Sequence, residues 1–175
     1  MRVDELPIDE QVKAILREQG IVELFPPQEE AIRSGVLDGR NLVLASPTAS
    51  GKTLVAILCA MKHVLERGGK VLYLTPLRAL ANEKYDEFKR FEAVEKPGGS
   101  HVKVAISTGD YDSPELELAS ADIIITTNEK ADSILRHRPP WVRQVSLVVA
   151  DEVHLLTFPD RGPTLEVVLA RMRQV

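Results

Sequence analysis

An α/β fold, with a mostly parallel sheet covered by helices on both faces, is what this sequence predicts. Three observations carry the prediction. Candidate strands alternate with candidate helices along the chain. The strands read as continuous apolar runs (NLVLA, VLYLT and VSLVVA among them), where a half-exposed sheet would alternate apolar with polar. Glycines and prolines fall between these runs. At 175 residues, one domain with a full hydrophobic core is the expectation.

The elements follow in order. Ile8, Val12, Ile15 and Leu16 share one helical face, and Gly20 stops that helix. Pro26-Pro27 opens a second short helix, with Pro27 as its first residue, where a missing N–H costs nothing. Asp38-Gly39 is a turn. Asn41–Ala45 is a short apolar run, read as a buried strand. The helix after it spans Lys52 to Arg67 and ends at Gly68-Gly69. Val71–Thr75 is the next strand and Leu77–Phe91 its helix. Glu92–Ser100 is loop, broken at Pro97-Gly98-Gly99. Further strands fit Val102–Ser107, Asp122–Thr126 and Ser146–Ala150; further helices fit Asn128–Arg136 and Pro163–Arg173.

Composition excludes several classes. Twenty-two Lys+Arg against 26 Asp+Glu give a net charge of −4, which argues against a basic nucleic-acid coat but not against a local contact surface. One cysteine, Cys59, forms no internal disulfide, and with four scattered histidines it gives no zinc-like spacing. Cys59 reads as a small core residue, Trp141 as a residue packing a loop onto the domain, and His63, His101 and His137 as surface positions. The longest apolar stretch, Leu54 to Met61, is far short of the ~20 residues of a membrane span. The start, MRVDELPIDE, is acidic and polar, unlike a secretory signal. A reducing cytoplasm is the simplest home.

The loop after the first strand reads SPTASGKT, Ser46, Pro47, Thr48, Ala49, Ser50, Gly51, Lys52 and Thr53. It follows the phosphate-loop pattern, with Ser46 where the first glycine would stand. Backbone N–H groups at a helix N-terminus suit phosphate oxygens, and the helix dipole favours their charge. Gly51 admits a close backbone approach, Lys52 bridges β- and γ-phosphate oxygens, and the Thr53 hydroxyl ligates Mg²⁺. A polar turn before an amphipathic helix is the plain alternative; the setting between strand and helix favours the phosphate loop. Ser46 and Ala49 narrow the loop's conformational freedom relative to glycine, without preventing binding.

VSLVVADEVH, Val145 to His154, supplies an acidic partner. Asp151 follows the apolar run and would hold Mg²⁺ through water; Glu152 would orient or deprotonate an attacking water. Surface charge at a strand end is the alternative. Upstream, LFPPQ places Gln28 with one amide donor and one acceptor, suited to the N7 and N6 edge of adenine, and Phe25 near the base. Gln28 could equally open a surface helix. The guanine signature N-K-x-D is absent; NEKAD at Asn128–Asp132 has an extra residue.

FPPQ, SPTASGKT and DEVH in this order resemble the first RecA-like domain of a superfamily-two helicase, a P-loop NTPase fold. TPLRALANEKYDEF, STGDYDS, TTNEKADSILR and RGPTLEVVLARMR resemble the archaeal Ski-like DEVH-box DNA helicases that act on branched DNA at stalled replication forks. The resemblance implies ATP and Mg²⁺ as cofactors, with Gln28 reading adenine, Lys52, Asp151 and Glu152 catalytic, and His154 coupling the nucleotide site to later motifs. It also implies DNA contacts at Pro76, Leu77, Arg78 and Ala79, and at Thr126, Thr127 and Lys130. Thr126 to Gln144 carries one Lys and three Arg against one Glu and one Asp. That local charge alone fits a solvated helix as well as a DNA surface.

The resemblance implies a motor that moves three-prime to five-prime on single-stranded DNA and unwinds forks in replication-linked repair. Residues 1–175 would be its first RecA-like domain, ending before the later motifs. The second RecA-like domain and C-terminal domains would be its partners, and no membrane would be involved. An arginine from the second domain would reach the γ-phosphate; such residues contribute about 10³–10⁵ in rate, so the single domain is expected to hydrolyse ATP little. Two alternatives stand beside this reading: a non-catalytic nucleotide- or partner-binding module, and an RNA helicase domain, since backbone tracking does not read the 2′-hydroxyl.

Overall fold

The computed structural model describes residues 1–47, 51–109, 113–153, 167–170 and 172–173. The chain divides into two units: Met1–Gly68 with Ala93–His101, and Gly69–Glu92 with Val102–Val175.

The first unit carries three α-helices. Helix α1, Glu10–Glu18, is capped by Asp9, whose carboxylate accepts from the Gln11 N–H at 2.8 Å, and it buries Val12 and Leu16. Helix α2 is Pro26–Arg33, beginning one residue earlier than the sequence suggests. The reason is local. Phe25 is the extended N-cap, and Gln28 at the third helical position accepts from the Phe25 N–H at 2.7 Å. Two prolines in the first turn then withhold only N–H groups that would lack helical partners. Helix α3, Lys52–Arg67, has the expected bounds and buries Leu54, Val55, Ile57, Leu58, Ala60, Met61 and Val64.

The expected strand at Asn41–Ala45 is not formed. Residues 41–47 carry no regular structure, Leu42 is 38% exposed and Val43 82% exposed. The run is apolar, but a strand also needs a neighbour for its N–H and C=O groups, and no pairing to it is found among the described residues.

The second unit is a parallel four-stranded sheet with helices. Its strands are β1 Lys70–Thr75, β2 Val104–Ser107, β3 Ile123–Thr127 and β4 Val145–Ala150, in the order β2-β3-β1-β4. Register sets Tyr73 beside Ile125 and Val149, and Thr75 beside Thr127. The connecting helices are α4 Arg78–Lys89, α5 Glu115–Ser120 and α6 Asn128–His137. The step from β1 to β2 runs across the sheet in one direction, while β2 to β3 and β3 to β4 run the other way. Parallel crossovers keep one hand, so α4 must lie on the opposite face from α5 and α6. The packing agrees. Leu72, Leu74, Ala105 and Ile124 form one core with Leu118 of α5, Ala131 and Leu135 of α6, and Trp141 and Val142. On the other face Tyr73 meets Phe88 of α4 edge-on, ring centroids 5.5 Å apart.

Trp141 is buried as expected, and its Nε1 donates to Glu115 at 2.9 Å. Lys70 was not foreseen as a core residue, yet it is 5% exposed. Its ammonium donates to the carbonyls of Leu118, Ala119 and Ala121, where α5 ends and orphan carbonyls favour a cation. Of the expected helix Pro163–Arg173, residues 167–170 and 172 are helical, and Val168 joins the sheet core; the rest lies outside the described residues.

Candidate functional site

The phosphate-loop segment ends where α3 begins. Gly51 is the N-cap of α3 at φ +77°, a left-handed conformation that a Cβ resists. A Cβ there would also run into Nε2 of Gln28. Gln28 is 3% exposed; its Oε1 accepts from Phe25, and its Nε2 donates to the Gly51 carbonyl at 2.9 Å. The structure thus brings Phe25, Gln28 and Gly51 together, and Phe25 is 59% exposed. Gln28 retains one amide hydrogen and one acceptor lone pair, the number an adenine edge needs. Lys52 donates its ammonium to the Ser46 carbonyl at 2.9 Å. Thr53 is the second residue of α3 and half-buried. Thr48, Ala49 and Ser50 lie outside the described residues.

The acidic pair follows β4. The Asp151 N–H donates to the Leu74 carbonyl at 2.9 Å, extending the β1–β4 ladder to the acid itself. Its Oδ1 accepts from the Glu152 N–H at 2.9 Å, and its Oδ2 from the Tyr73 hydroxyl at 2.9 Å. Each carboxylate oxygen keeps acceptor capacity after these bonds. Burial raises the Tyr73 phenol far above its ordinary value, and the neighbouring Asp151 charge adds to the shift, so the hydroxyl stays protonated and donates. Glu152 sits at φ +56°, a left-handed conformation that costs a non-glycine residue about 1–3 kcal/mol and is found clustered at active sites and switch regions. His154 lies outside the described residues.

The nucleic-acid candidates gather at one end of the sheet. Pro76 and Arg78 follow β1, and Thr126 and Thr127 close β3, which is next to β1. The chain leaves β1 toward α4 on one face and β3 toward α6 on the other. Such a divergence opens a crevice at the carboxyl ends of the strands, the usual ligand position in open α/β sheets. Arg78 is exposed, and its guanidinium lies near Gly109. Thr127 caps α6, its Oγ1 accepting from the Lys130 N–H at 3.2 Å. Thr126 is fully buried and donates to the Thr127 carbonyl at 3.2 Å, so its side chain holds the strand end. Buried beside them, Thr75 Oγ1 and Asn128 Oδ1 have no hydrogen-bond partner.

Sequence reasoning missed Tyr73. A tyrosine inside an apolar run reads as core, and only the β1–β4 register reveals the acid it meets.

The chain matches the DEAD/DEAH box helicase family over residues 25–175. It is 56% identical over 172 residues to the ATP-dependent DNA helicase Hel308 of Thermococcus kodakarensis, covering 98% of this chain and 15% of that protein. It is 52% identical over 176 residues to the Hel308 of Methanocella arvoryzae, covering 100% of this chain and 23% of that protein. Among solved structures it is similar to the DUF1998 helicase MrfA, with TM-score 0.79 and 30% identity over 96% of this chain and 27% of the other. The Mycobacterium smegmatis helicase Lhr, solved with single-stranded DNA and AMP-PNP, is similar at TM-score 0.73 and 27% identity, over 95% of this chain and 23% of the other. The chain spans about a quarter or less of the length of these relatives. With the family match running through the phosphate loop, the sheet and the acidic pair alike, the chain belongs to the DEAD/DEAH box helicases.

Proposed function

We propose that this chain is the first RecA-like motor domain of a longer ATP-dependent DNA helicase that tracks single-stranded DNA and unwinds branched or forked DNA during replication-linked repair. The observation that carries the reading is the seating of Asp151 and Glu152 at the carboxyl end of β4. One acid is oriented through both oxygens, and the other occupies a strained backbone conformation.

In this reading Gln28 and Phe25 receive the adenine. The α3 N-terminus, Gly51 and Lys52 receive the phosphates, Lys52 exchanging the Ser46 carbonyl for phosphate oxygens. Thr53 and Asp151 would hold Mg²⁺, which when bound neutralises charge on the β- and γ-phosphates. The donor set fits a hard cation that takes one or two protein oxygens and completes its shell with phosphate and water. Glu152 orients the attacking water, and His154 couples this site to the rest of the motor. Pro76 and Arg78 after β1, with Thr127 at the end of β3 and Lys130 in the first turn of α6, receive the DNA backbone without reading bases, while buried Thr126 holds the end of β3. The second RecA-like domain supplies the remaining charge for hydrolysis, so residues 1–175 alone hydrolyse ATP slowly. No helix among the described residues is long and apolar enough to cross a membrane, and a reducing cytoplasm suits the free Cys59.

The test is strand separation by the full-length protein on a forked DNA and on an RNA duplex of the same shape, with and without ATP. ATP-dependent opening of the DNA fork is expected. Opening of the RNA alone, or ATP turnover indifferent to DNA, would overturn the DNA assignment.

A further inference from the structure

We infer that Tyr73 is a positioning residue for Asp151: its hydroxyl aims the carboxylate that the proposed function assigns to Mg²⁺. The inference rests on that reading and adds a residue to it. Tyr73 lies on β1, flanked by β3 and β4, and is 2% exposed. Register places Val149 directly beside it. Asp151 is two residues further on, and side chains repeat on one face every second residue, so both belong to the face that α4 covers. A long side chain bridges that diagonal; an alanine or valine at position 73 would leave a gap.

The ring is fixed before the hydroxyl acts. Phe88 packs edge-on against it at 5.5 Å and 67°, so the phenol has little freedom to turn. The hydroxyl then donates to Asp151 Oδ2 at 2.9 Å while the Glu152 N–H donates to Oδ1 at 2.9 Å. With one donor on each oxygen, rotation of the carboxylate about its terminal bond is opposed from both sides. Its remaining lone pairs keep fixed directions. Partners of this kind orient metal ligands, and their loss typically weakens metal affinity or activity about 10- to 100-fold.

Tyr73→Phe removes the hydroxyl and keeps the ring. Binding of a fluorescent ATP analogue to the full-length protein is measured across a Mg²⁺ titration and in EDTA. The expected result is unchanged affinity in EDTA and a Mg²⁺ midpoint raised about tenfold or more. ATP turnover should fall at limiting Mg²⁺ and recover as Mg²⁺ is raised. A midpoint within twofold of wild type overturns the inference. Asp151→Asn, run in parallel, separates the two claims. If it shifts the Mg²⁺ midpoint and Tyr73→Phe does not, only the role of Tyr73 fails. If neither variant shifts it, the metal assignment of Asp151 fails as well.

Discussion

Two apolar runs, Asn41–Ala45 and Val145–Ala150, have the same character in the sequence and different fates in the structure. The second becomes β4, pairs along β1 and sets Val148 against the sheet core. The first takes up no strand and leaves Val43 82% exposed. Hydrophobicity does not separate them; pairing does. An apolar run becomes a strand only where a neighbour takes its backbone groups. Each run leads straight into candidate chemistry, the phosphate loop after one and the acidic pair after the other, so the contrast extends to function. Asp151 is seated by three hydrogen bonds to its own neighbours. At the other end, Gly51 at the start of α3 accepts from Gln28, and the run that leads toward the phosphate loop is exposed.

The largest expected effect sets the two functional ends against each other. In the full-length protein, Lys52→Ala and Glu152→Gln should each lower DNA-stimulated ATP hydrolysis by about 10²–10³, the range for removing one preorganised polar group from a reacting site. They should differ in binding. Lys52→Ala weakens nucleotide affinity, whereas Glu152→Gln leaves it nearly unchanged. Phosphate release and fluorescent-nucleotide titration read the two quantities. An equal loss of binding in both variants would erase the division of labour between the loop and the acids.

Next is the contrast in pairing. Val148→Asp places a carboxylate against the sheet core and should cost about 2–3 kcal/mol in a urea unfolding midpoint. Val43→Asp, on an exposed and unpaired run, should stay within about 0.5 kcal/mol. A comparable loss at Val43 would show that the run is paired and covered in solution.

What the sequence revealed depended on signals that are local. Helix α3 was legible to the residue, because Gly51 opens it and Gly68 closes it. β1, β3 and β4 were legible as apolar runs, to within a residue or so at their ends. Helix α5 was not, because SPELELAS is short and acidic and buries only Leu118, too little for a periodic signal. Lys70 and Tyr73 were illegible for a different reason. Each is explained by a partner brought in by the fold, the end of α5 for one and Asp151 for the other. The contact of Gln28 with Gly51 belongs with these: the residues were singled out separately, and their meeting is tertiary.

That contact gives an effect of intermediate size. Gly51→Ala places a Cβ at φ +77° and against Gln28 Nε2. It should destabilise the fold by about 1–2 kcal/mol. Gln28→Ala made in addition should recover part of the loss, since it removes the obstacle. A double-mutant cycle on the unfolding midpoint measures the coupling. Strict additivity would mean that Gln28 and Gly51 do not touch in solution.

The smallest effect lies in α3, where the phosphate-loop half of the chain passes from exposed to buried. Burial pushes the Cys59 thiol up to about 11. The folded chain therefore holds this proton more tightly than the unfolded chain does. The stability this contributes is complete below the ordinary thiol value and is lost as pH rises toward 11. At pH 8 only about one thiol in a thousand is ionised, so alkylation by iodoacetamide should run roughly 100-fold slower than for an exposed thiol. Mass spectrometry follows the rate, which should climb about tenfold per pH unit up to the titration. Val43→Cys in a Cys59→Ala background supplies the comparison, because that side chain stands in the exposed run and should label at the ordinary rate. Equal rates at the two positions would mean that the run before the phosphate loop is as well covered as the helix after it.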